Sequence, residues 1–109
     1  MALTRDFKKT VAARVQKDAR FRRALLAEAV ETLLGGDLGT GKALLRDYIN
    51  ATIGFEALAK EIGKDSKSIH RMLGPKGNPT AGNIFTIVKI LQDAGDISFQ
   101  VKANHHKAA

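Results

Sequence analysis

The stretch GFEALAKEIGKDSKSIHRMLG, residues 54–74, constrains the fold more than any other part of the chain. Its first apolar residues are spaced at i, i+3, i+4 and i+7, which is one face of an amphipathic helix: Phe55, Leu58, Ala59 and Ile62. Gly63 marks a turn, and Asp65 or Ser66 can cap a second helix that ends at Gly74. The pattern therefore predicts two short helices joined by a tight turn.

The second helix of this pair has an apolar face formed by Ile69, Met72 and Leu73. At about 100° per residue, its other side chains centre on a direction roughly 140° from that face, so they point outward. These outward residues are Ser66, Lys67, His70 and Arg71. A short helix that is held by its apolar back and exposes small, basic and hydrogen-bonding residues is suited to enter the major groove of DNA.

This ordered pattern resembles the helix-turn-helix of the phage repressor and Cro superfamily. The shared features are Leu-Ala in the first helix, Gly in the turn and a small or polar start to the recognition helix. The continuation through Gly77-Asn78-Pro79-Thr80 into a helix rich in Ile, Phe, Val and Leu is similar to the addiction-module antidote (antitoxin) family of Xre/Cro-type helix-turn-helix DNA-binding transcriptional regulators. The resemblance covers about residues 41–101.

The resemblance implies a lambda-repressor-like helix-turn-helix fold and a homodimer on double-stranded DNA. It also implies sequence-specific transcriptional repression by an antitoxin that autorepresses a toxin–antitoxin operon, with a cognate toxin as a second partner. Two alternatives stay open: a stand-alone repressor without a toxin, and a protein-interaction module that inhibits a toxin by contact.

Seven residues are candidates for DNA contact: Ser66, Lys67, Ser68, His70, Arg71, Lys76 and Asn78. Arg71 and Lys67 are the candidates for base readout, because their side chains can donate to guanine O6 and N7. Ser66 and Ser68 suit phosphate or close base contacts, although one of them can serve only as a cap. His70 either hydrogen-bonds a base or phosphate or is an ordinary exposed histidine. The alternative for the basic residues is a solvated helix surface.

Other candidate positions follow from the resemblance alone. Similar proteins touch the DNA backbone just past the recognition helix, a role that falls here on Lys76 and Asn78. The position of the usual phosphate clamp falls on Phe55, where the superfamily often has Gln. We interpret Phe55 as a core residue, which leaves Arg46 or Lys60 as substitutes for the clamp.

The net charge of +7 is concentrated near the start of the chain. Residues 1–24 hold eight basic residues against Asp6 and Asp18, a balance of +6, whereas residues 25–95 balance at zero. A basic segment of this kind suits a polyanion such as nucleic acid. The alternative is a solvated helix face that aids solubility.

The chain of 109 residues has room for one compact domain, which the pattern divides into three parts. The pattern predicts a basic helical hairpin in residues 1–36. Its helices cover residues 4–17 and 19–34, and Asp18 caps the second helix. Residues 37–95 predict the helix-turn-helix core, in which Thr80 caps the last helix. The fold class is therefore all-α, apart from its C-terminal end.

Residues 96–109 predict a C-terminal strand followed by a disordered tail. Ile97, Phe99 and Val101 alternate with polar residues, which is the period of a β-strand. A single strand needs a partner, so it either packs flat on the helices or pairs with its copy in an isologous dimer.

The segment GGDLGTGKA, which begins at Gly35, contains a near match to a phosphate-binding loop. Gly36, Gly41 and Lys42 fit the spacing G-x-x-x-x-G-K, but Ala43 stands where the motif needs Ser or Thr. The preceding residues also predict a helix where the motif needs a strand. We interpret the segment as a flexible connection between helices.

Composition excludes several other functions. There is no cysteine, so disulfides and cysteine-ligated zinc are excluded. No apolar run approaches the roughly 20 residues that span a bilayer, which predicts a cytoplasmic protein without membrane partners. His105 and His106 stand next to each other near the C-terminus, without a nearby nucleophile or carboxylate. We therefore expect no enzyme activity, no cofactor and no metal site.

Overall fold

The computed structural model describes residues 9–10, 13–15 and 17–105. Within them, all regular secondary structure is helical, which confirms the predicted all-α class. Five helices follow one another: α1 (Ala19–Leu34), α2 (Leu38–Ala51), α3 (Gly54–Ile62), α4 (Ser66–Met72) and α5 (Ala81–Ala94). The described residues before Asp18 are helical as well. None of the described helices is long and apolar enough to cross a membrane.

Side chains cap two of the helices where the sequence predicted them. Asp18 accepts hydrogen bonds from the backbone N–H groups of Arg20 at 3.0 Å and Phe21 at 3.2 Å, before the first turn of α1. The Thr80 hydroxyl accepts one from the N–H of Asn83 at 3.1 Å, before the first turn of α5. Both caps satisfy N–H groups that have no partner inside their helix.

Every helix contributes fully buried aliphatic side chains to one core. One from each helix is Leu26, Leu45, Leu58, Ile69 and Ile87. Burying a side chain of this size contributes about 1.5–3 kcal/mol, so these contacts dominate the stability of the fold. Helix α1 packs on α2, whereas α3 contacts α2, α4 and α5. Helix α3 therefore connects the α1–α2 pair to the exposed helix α4.

The predicted C-terminal strand in residues 96–109 is wrong for the part of that range that the structure describes, which has no strand. Ile97 is buried, and its N–H donates to the backbone carbonyl of Gln92 at 2.8 Å. The N–H of Phe99 donates to the side-chain oxygen of Gln92 at 3.2 Å, while Val101 is 92% exposed. The extended segment thus packs against α5 instead of forming a ladder, and strand pairing gives no basis for a dimer.

The connection before α2 is also shorter than the sequence predicted. Helix α2 begins at Leu38, and the Asp37 carboxylate accepts a hydrogen bond from the N–H of Thr40 at 3.1 Å. Gly41 is buried, and a Cβ atom at this position would overlap the side chain of Leu33 on α1. Gly41 therefore permits the close approach of two helices and is not part of a flexible loop.

The predicted hairpin between residues 4–17 and 19–34 lies partly outside the described residues. In the described part, Val15 is buried, and its carbonyl accepts a hydrogen bond from Nη1 of Arg22 at 2.9 Å. The Arg14 guanidinium lies over the Phe21 ring, 4.4 Å from its centroid. The segment before α1 therefore contacts α1, but the limits of the hairpin stay a prediction.

Candidate nucleic-acid interface

A three-residue turn joins α3 to α4, as the sequence predicted. Gly63 has the left-handed conformation, with φ of 81°, which a residue with a Cβ adopts only with strain. Its N–H donates to the carbonyl of Ala59 at 2.8 Å and closes the end of α3. The Asp65 carboxylate then accepts a hydrogen bond from the N–H of Ser68 at 2.7 Å and caps α4. These contacts fix the angle at which α4 leaves α3.

Helix α4 is held by its apolar side and exposes its basic side. Ile69 and Leu73 are fully buried. Lys67 and Arg71 are both exposed, and each lies about 200° around the helix from Ile69. The side chains of Lys67 and Arg71 therefore project from the middle of the outward face, where a nucleic acid could approach.

Four of the seven predicted contact residues line one shallow cavity of about 400 Å³. They are Ser68, Arg71, Lys76 and Asn78. The cavity lies between α4 and the residues that lead into α5, including the cap Thr80. The structure thus brings the basic end of α4 and the following loop together around a single concave surface.

The other flank of α4 faces α3 and is less free. The Ser66 hydroxyl is 3.4 Å from a carboxylate oxygen of Glu56, to which it can donate. The His70 ring stacks on Phe55, with 3.8 Å between centroids and 19° between planes. Phe55 is only 6% exposed, which confirms its interpretation as a core residue. Ser66 and His70 are therefore partly engaged within the protein, unlike Lys67.

The cations of this surface have no ion-pair partner within the described residues. The ion pairs of that part of the chain join Arg14 to Asp18 and Lys89 to Asp93, away from α4. The unpaired cations of residues 54–78 are Lys60, Lys64, Lys67, Arg71 and Lys76. The same residues include Glu56, Glu61 and Asp65, so their net charge is +2. This modest positive excess favours a polyanionic partner.

Two basic residues of α2 bind the backbone that follows α4. Nζ of Lys42 donates to the carbonyls of Gly74 at 2.9 Å and Gly77 at 2.6 Å. Nη1 of Arg46 donates to the carbonyl of Leu73. These carbonyls follow Met72, the last residue of α4, at the end of the helix where the partial charge is negative, so the cations complement it. We call Lys42 and Arg46 the carbonyl clamp.

The carbonyl clamp bears on two expectations. Lys42 is 3% exposed and its Nζ donates to carbonyls, which agrees with the rejection of a phosphate-binding loop. Arg46, proposed above as a substitute phosphate contact, uses Nη1 within the protein instead. Gly77 completes the arrangement, because a Cβ there would overlap the carbonyl oxygens of Arg71 and Met72. The loop therefore folds tightly back on α4.

Comparison with protein-family models, with curated proteins and with solved structures found no match to the chain. The resemblance described above thus stays a prediction. Among the described residues, no group of three or more His, Cys, Asp and Glu side chains could hold a metal ion.

The cap of α4 makes this region sensitive to acid. The hydrogen bond from the N–H of Ser68, followed by one from its side chain and the charge of Arg71, lowers the pKa of the Asp65 carboxyl. Because the pKa is lower in the folded state, the ionised cap contributes stability above about pH 4, and this contribution is lost as pH falls through the lowered value.

We expect the wild-type protein to lose more stability than Asp65→Asn between about pH 6 and pH 3. Asn keeps an acceptor oxygen for the cap but does not titrate in this range. Thermal unfolding followed by circular dichroism at both pH values measures the difference. All other acids, including Asp37, are the same in both proteins, so an equal loss of stability would contradict this role of Asp65.

Proposed function

We propose that this protein is a sequence-specific DNA-binding transcriptional regulator that inserts α4 into the major groove. One observation carries the proposal. Lys67 and Arg71 project from the side of α4 opposite the buried Ile69, and neither has an ion-pair partner within the described residues. A helix whose apolar face is buried in the core and whose exposed face is basic can present side chains to base edges without unfolding the core.

The proposed contacts divide into base readout and positioning. Arg71 donates its two forked N–H groups to O6 and N7 of one guanine, and Lys67 donates to a neighbouring acceptor. Lys76 and Asn78 lie in the loop that shares a cavity with Arg71, so they contact phosphates beside the groove. Ser68, at the same cavity, donates its hydroxyl to phosphate or to a base edge. Ser66 and His70 contribute at the α3 flank.

The N-terminal basic segment supplies attraction that does not depend on sequence. Arg20 and Arg23 are exposed on α1 and are free to approach phosphates. Arg22 is not part of this group, because its guanidinium is half-buried and donates to the carbonyl of Val15. Exposed arginines that release counterions from DNA raise affinity for all duplexes alike.

A homodimer is part of the proposal, because two copies of α4 would read two half-sites about 34 Å apart. Phe85 on α5 is 66% exposed and is the candidate contact for the second copy. We expect Phe85→Ser to shift sedimentation toward the monomer mass while circular dichroism is unchanged. A variant that stays dimeric would place the interface elsewhere.

The resemblance extends the proposal to an antitoxin that acts in the cytoplasm and autorepresses its own operon, with a cognate toxin as a second partner. The same exposed Phe85 favours a second candidate function, direct inhibition of a toxin by contact. A stand-alone repressor without a toxin shares the DNA-binding surface. Copurification with the product of a neighbouring gene would distinguish the antitoxin from the lone regulator.

DNA binding is tested with the duplex upstream of the protein's own gene. We expect gel-shift affinity to fall steeply between about 50 and 200 mM salt, because each phosphate neutralised by Lys or Arg releases counterions. A random duplex of equal length is the control and should bind more weakly at every salt concentration. Affinity that is independent of salt, or equal for both duplexes, would contradict the proposal.

A further inference from the structure

A second concave site lies on the other side of α2 from the carbonyl clamp. It has a volume of about 340 Å³, which falls in the range of about 300–1,000 Å³ for small-molecule sites. Val15, Ile53 and Leu91 supply apolar wall, and Arg22 and Tyr48 supply polar groups. Tyr48 lies about 200° around α2 from Arg46, so this pocket is separate from the proposed DNA surface.

Each of these two polar side chains has one buried atom without a partner among the described residues. These atoms are the Tyr48 hydroxyl and Nε of Arg22. Tyr48 as a whole is 2% exposed, and its hydroxyl lies beside Gly95 in the pocket wall. Arg22 forms no ion pair with the described acidic residues. An unpaired buried hydroxyl is unfavourable, so a ligand that accepts its hydrogen bond gains in affinity.

The two groups line the same pocket. Burial raises the pKa of Tyr48, and the charge of Arg22 acts in the opposite direction. The pair therefore offers two N–H or O–H donors and one positive charge at an apolar wall. A carboxylate has two acceptor oxygens and one negative charge, which matches this set. A phosphate would leave further charged oxygens against apolar side chains, which is unfavourable.

We propose that this pocket binds a small monocarboxylic acid with an apolar body, whose carboxylate accepts hydrogen bonds from the Tyr48 hydroxyl and the Arg22 guanidinium. The apolar part of the ligand packs against Val15, Ile53 and Leu91. Arg22 is half-buried, and its Nη1 is held by the Val15 carbonyl, so its unpaired Nε–H is the donor left for the carboxylate. The site does not depend on the proposed DNA-binding function.

The carboxylate of Asp96 opposes the binding of an anion in this pocket. It is exposed, lines the pocket and carries a negative charge that repels an anionic ligand. Its φ of 54° is in the left-handed region, which asparagine also tolerates well. Asp96→Asn therefore removes the repulsion without adding backbone strain, and we expect it to bind the carboxylate more tightly than the wild type.

The chain contains one tyrosine and no tryptophan, so its tyrosine fluorescence reports on this pocket alone. Titration of the full-length protein with octanoate is expected to change Tyr48 fluorescence saturably, and calorimetry should give one site per chain. Octan-1-ol has the same apolar chain without the charge and is the control ligand. Its binding is expected to be at least tenfold weaker.

Variants separate the proposal from general adsorption of octanoate. Tyr48→Phe should bind octanoate about tenfold more weakly by calorimetry, yet unfold at the same temperature as the wild type or higher without ligand, because the lost hydroxyl has no partner. Arg22→Gln should also weaken binding about tenfold. Arg23→Gln removes an exposed charge from the same helix, outside the pocket lining, and should bind like the wild type.

The proposal would be overturned by a protein that does not bind octanoate, or that binds octan-1-ol as tightly. Wild-type affinity in Tyr48→Phe would also overturn it, because that variant retains the fold. Equal weakening in Arg22→Gln and Arg23→Gln would show attraction to net charge and not to the pocket. Tighter binding by Asp96→Asn supports the placement of the carboxylate even if Arg22→Gln does not fold.

Discussion

Replacing Lys42 with methionine is expected to lower the free energy of unfolding by about 2–4 kcal/mol. The Lys42 side chain is almost fully buried, and its Nζ donates to the carbonyls of Gly74 and Gly77. Methionine keeps the length and the apolar stem but has no donor. Both carbonyls then lose a charged partner, although the Gly74 carbonyl keeps the N–H of Gly77 at 3.0 Å. Part of the cost is offset because a buried ammonium no longer has to be desolvated.

Urea unfolding followed by circular dichroism measures this change, with Lys60→Met as the matched control. Lys60 is exposed on α3 and makes no ion pair with the described acidic residues, so its replacement should change stability by less than about 0.5 kcal/mol. Lys42→Met should also weaken DNA binding under conditions in which it is folded, since the loop that carries Lys76 loses its anchor. Equal stability of the two variants would contradict the carbonyl clamp.

Replacing Arg71 with alanine is expected to cost about 1–3 kcal/mol of binding free energy on the cognate duplex and much less on random DNA. The reason is that a guanidinium bound to a guanine edge distinguishes sequences, whereas a phosphate contact does not. Arg71 is exposed and makes no ion pair in the described part of the chain, so its removal should leave the core intact. Gel shifts on both duplexes measure the two losses.

The matched control for Arg71 is the double replacement of Arg20 and Arg23 by glutamine. These exposed arginines of α1 should contribute to all duplexes alike, so the double variant should lower both affinities equally and flatten the salt dependence. If Arg71→Ala lowers the affinity for both duplexes equally, Arg71 is a phosphate contact and Lys67 is the candidate for base readout. If Arg71→Ala changes neither affinity, α4 is not the recognition helix.

The helices and most of the core could be predicted from the sequence because those features are local. The caps Asp18 and Thr80 are short-range side-chain contacts to the next few N–H groups. The apolar spacing in α3 and α5 determines which side faces inward, and Leu58 and Ile87 are fully buried as expected. The C-terminal strand failed because an alternating segment can also pack against a helix, as Ile97 does.

The carbonyl clamp could not be predicted with the same rules, because its acceptors are distant in sequence. Lys42 donates to carbonyls 32 and 35 residues away, and no local pattern specifies such a contact. One signal was present in the sequence. Lys42 and Arg46 share the i, i+3, i+4, i+7 spacing with Leu45 and Ile49, so both cations lie on the inward face of α2. Basic residues on an apolar face indicate that buried acceptors are near.

The dependence of α4 on α2 also has a consequence for the order of folding. Helix α4 has seven residues, too few for an isolated helix to be stable in water. The carbonyls that follow its last residue, Met72, are bound by side chains of α2, so we expect α4 to form only after α2 has docked. Native-state hydrogen exchange should therefore show the amides of α4 opening no less often than those of α2. Every partial unfolding event that releases α2 should also unfold the proposed DNA-binding surface.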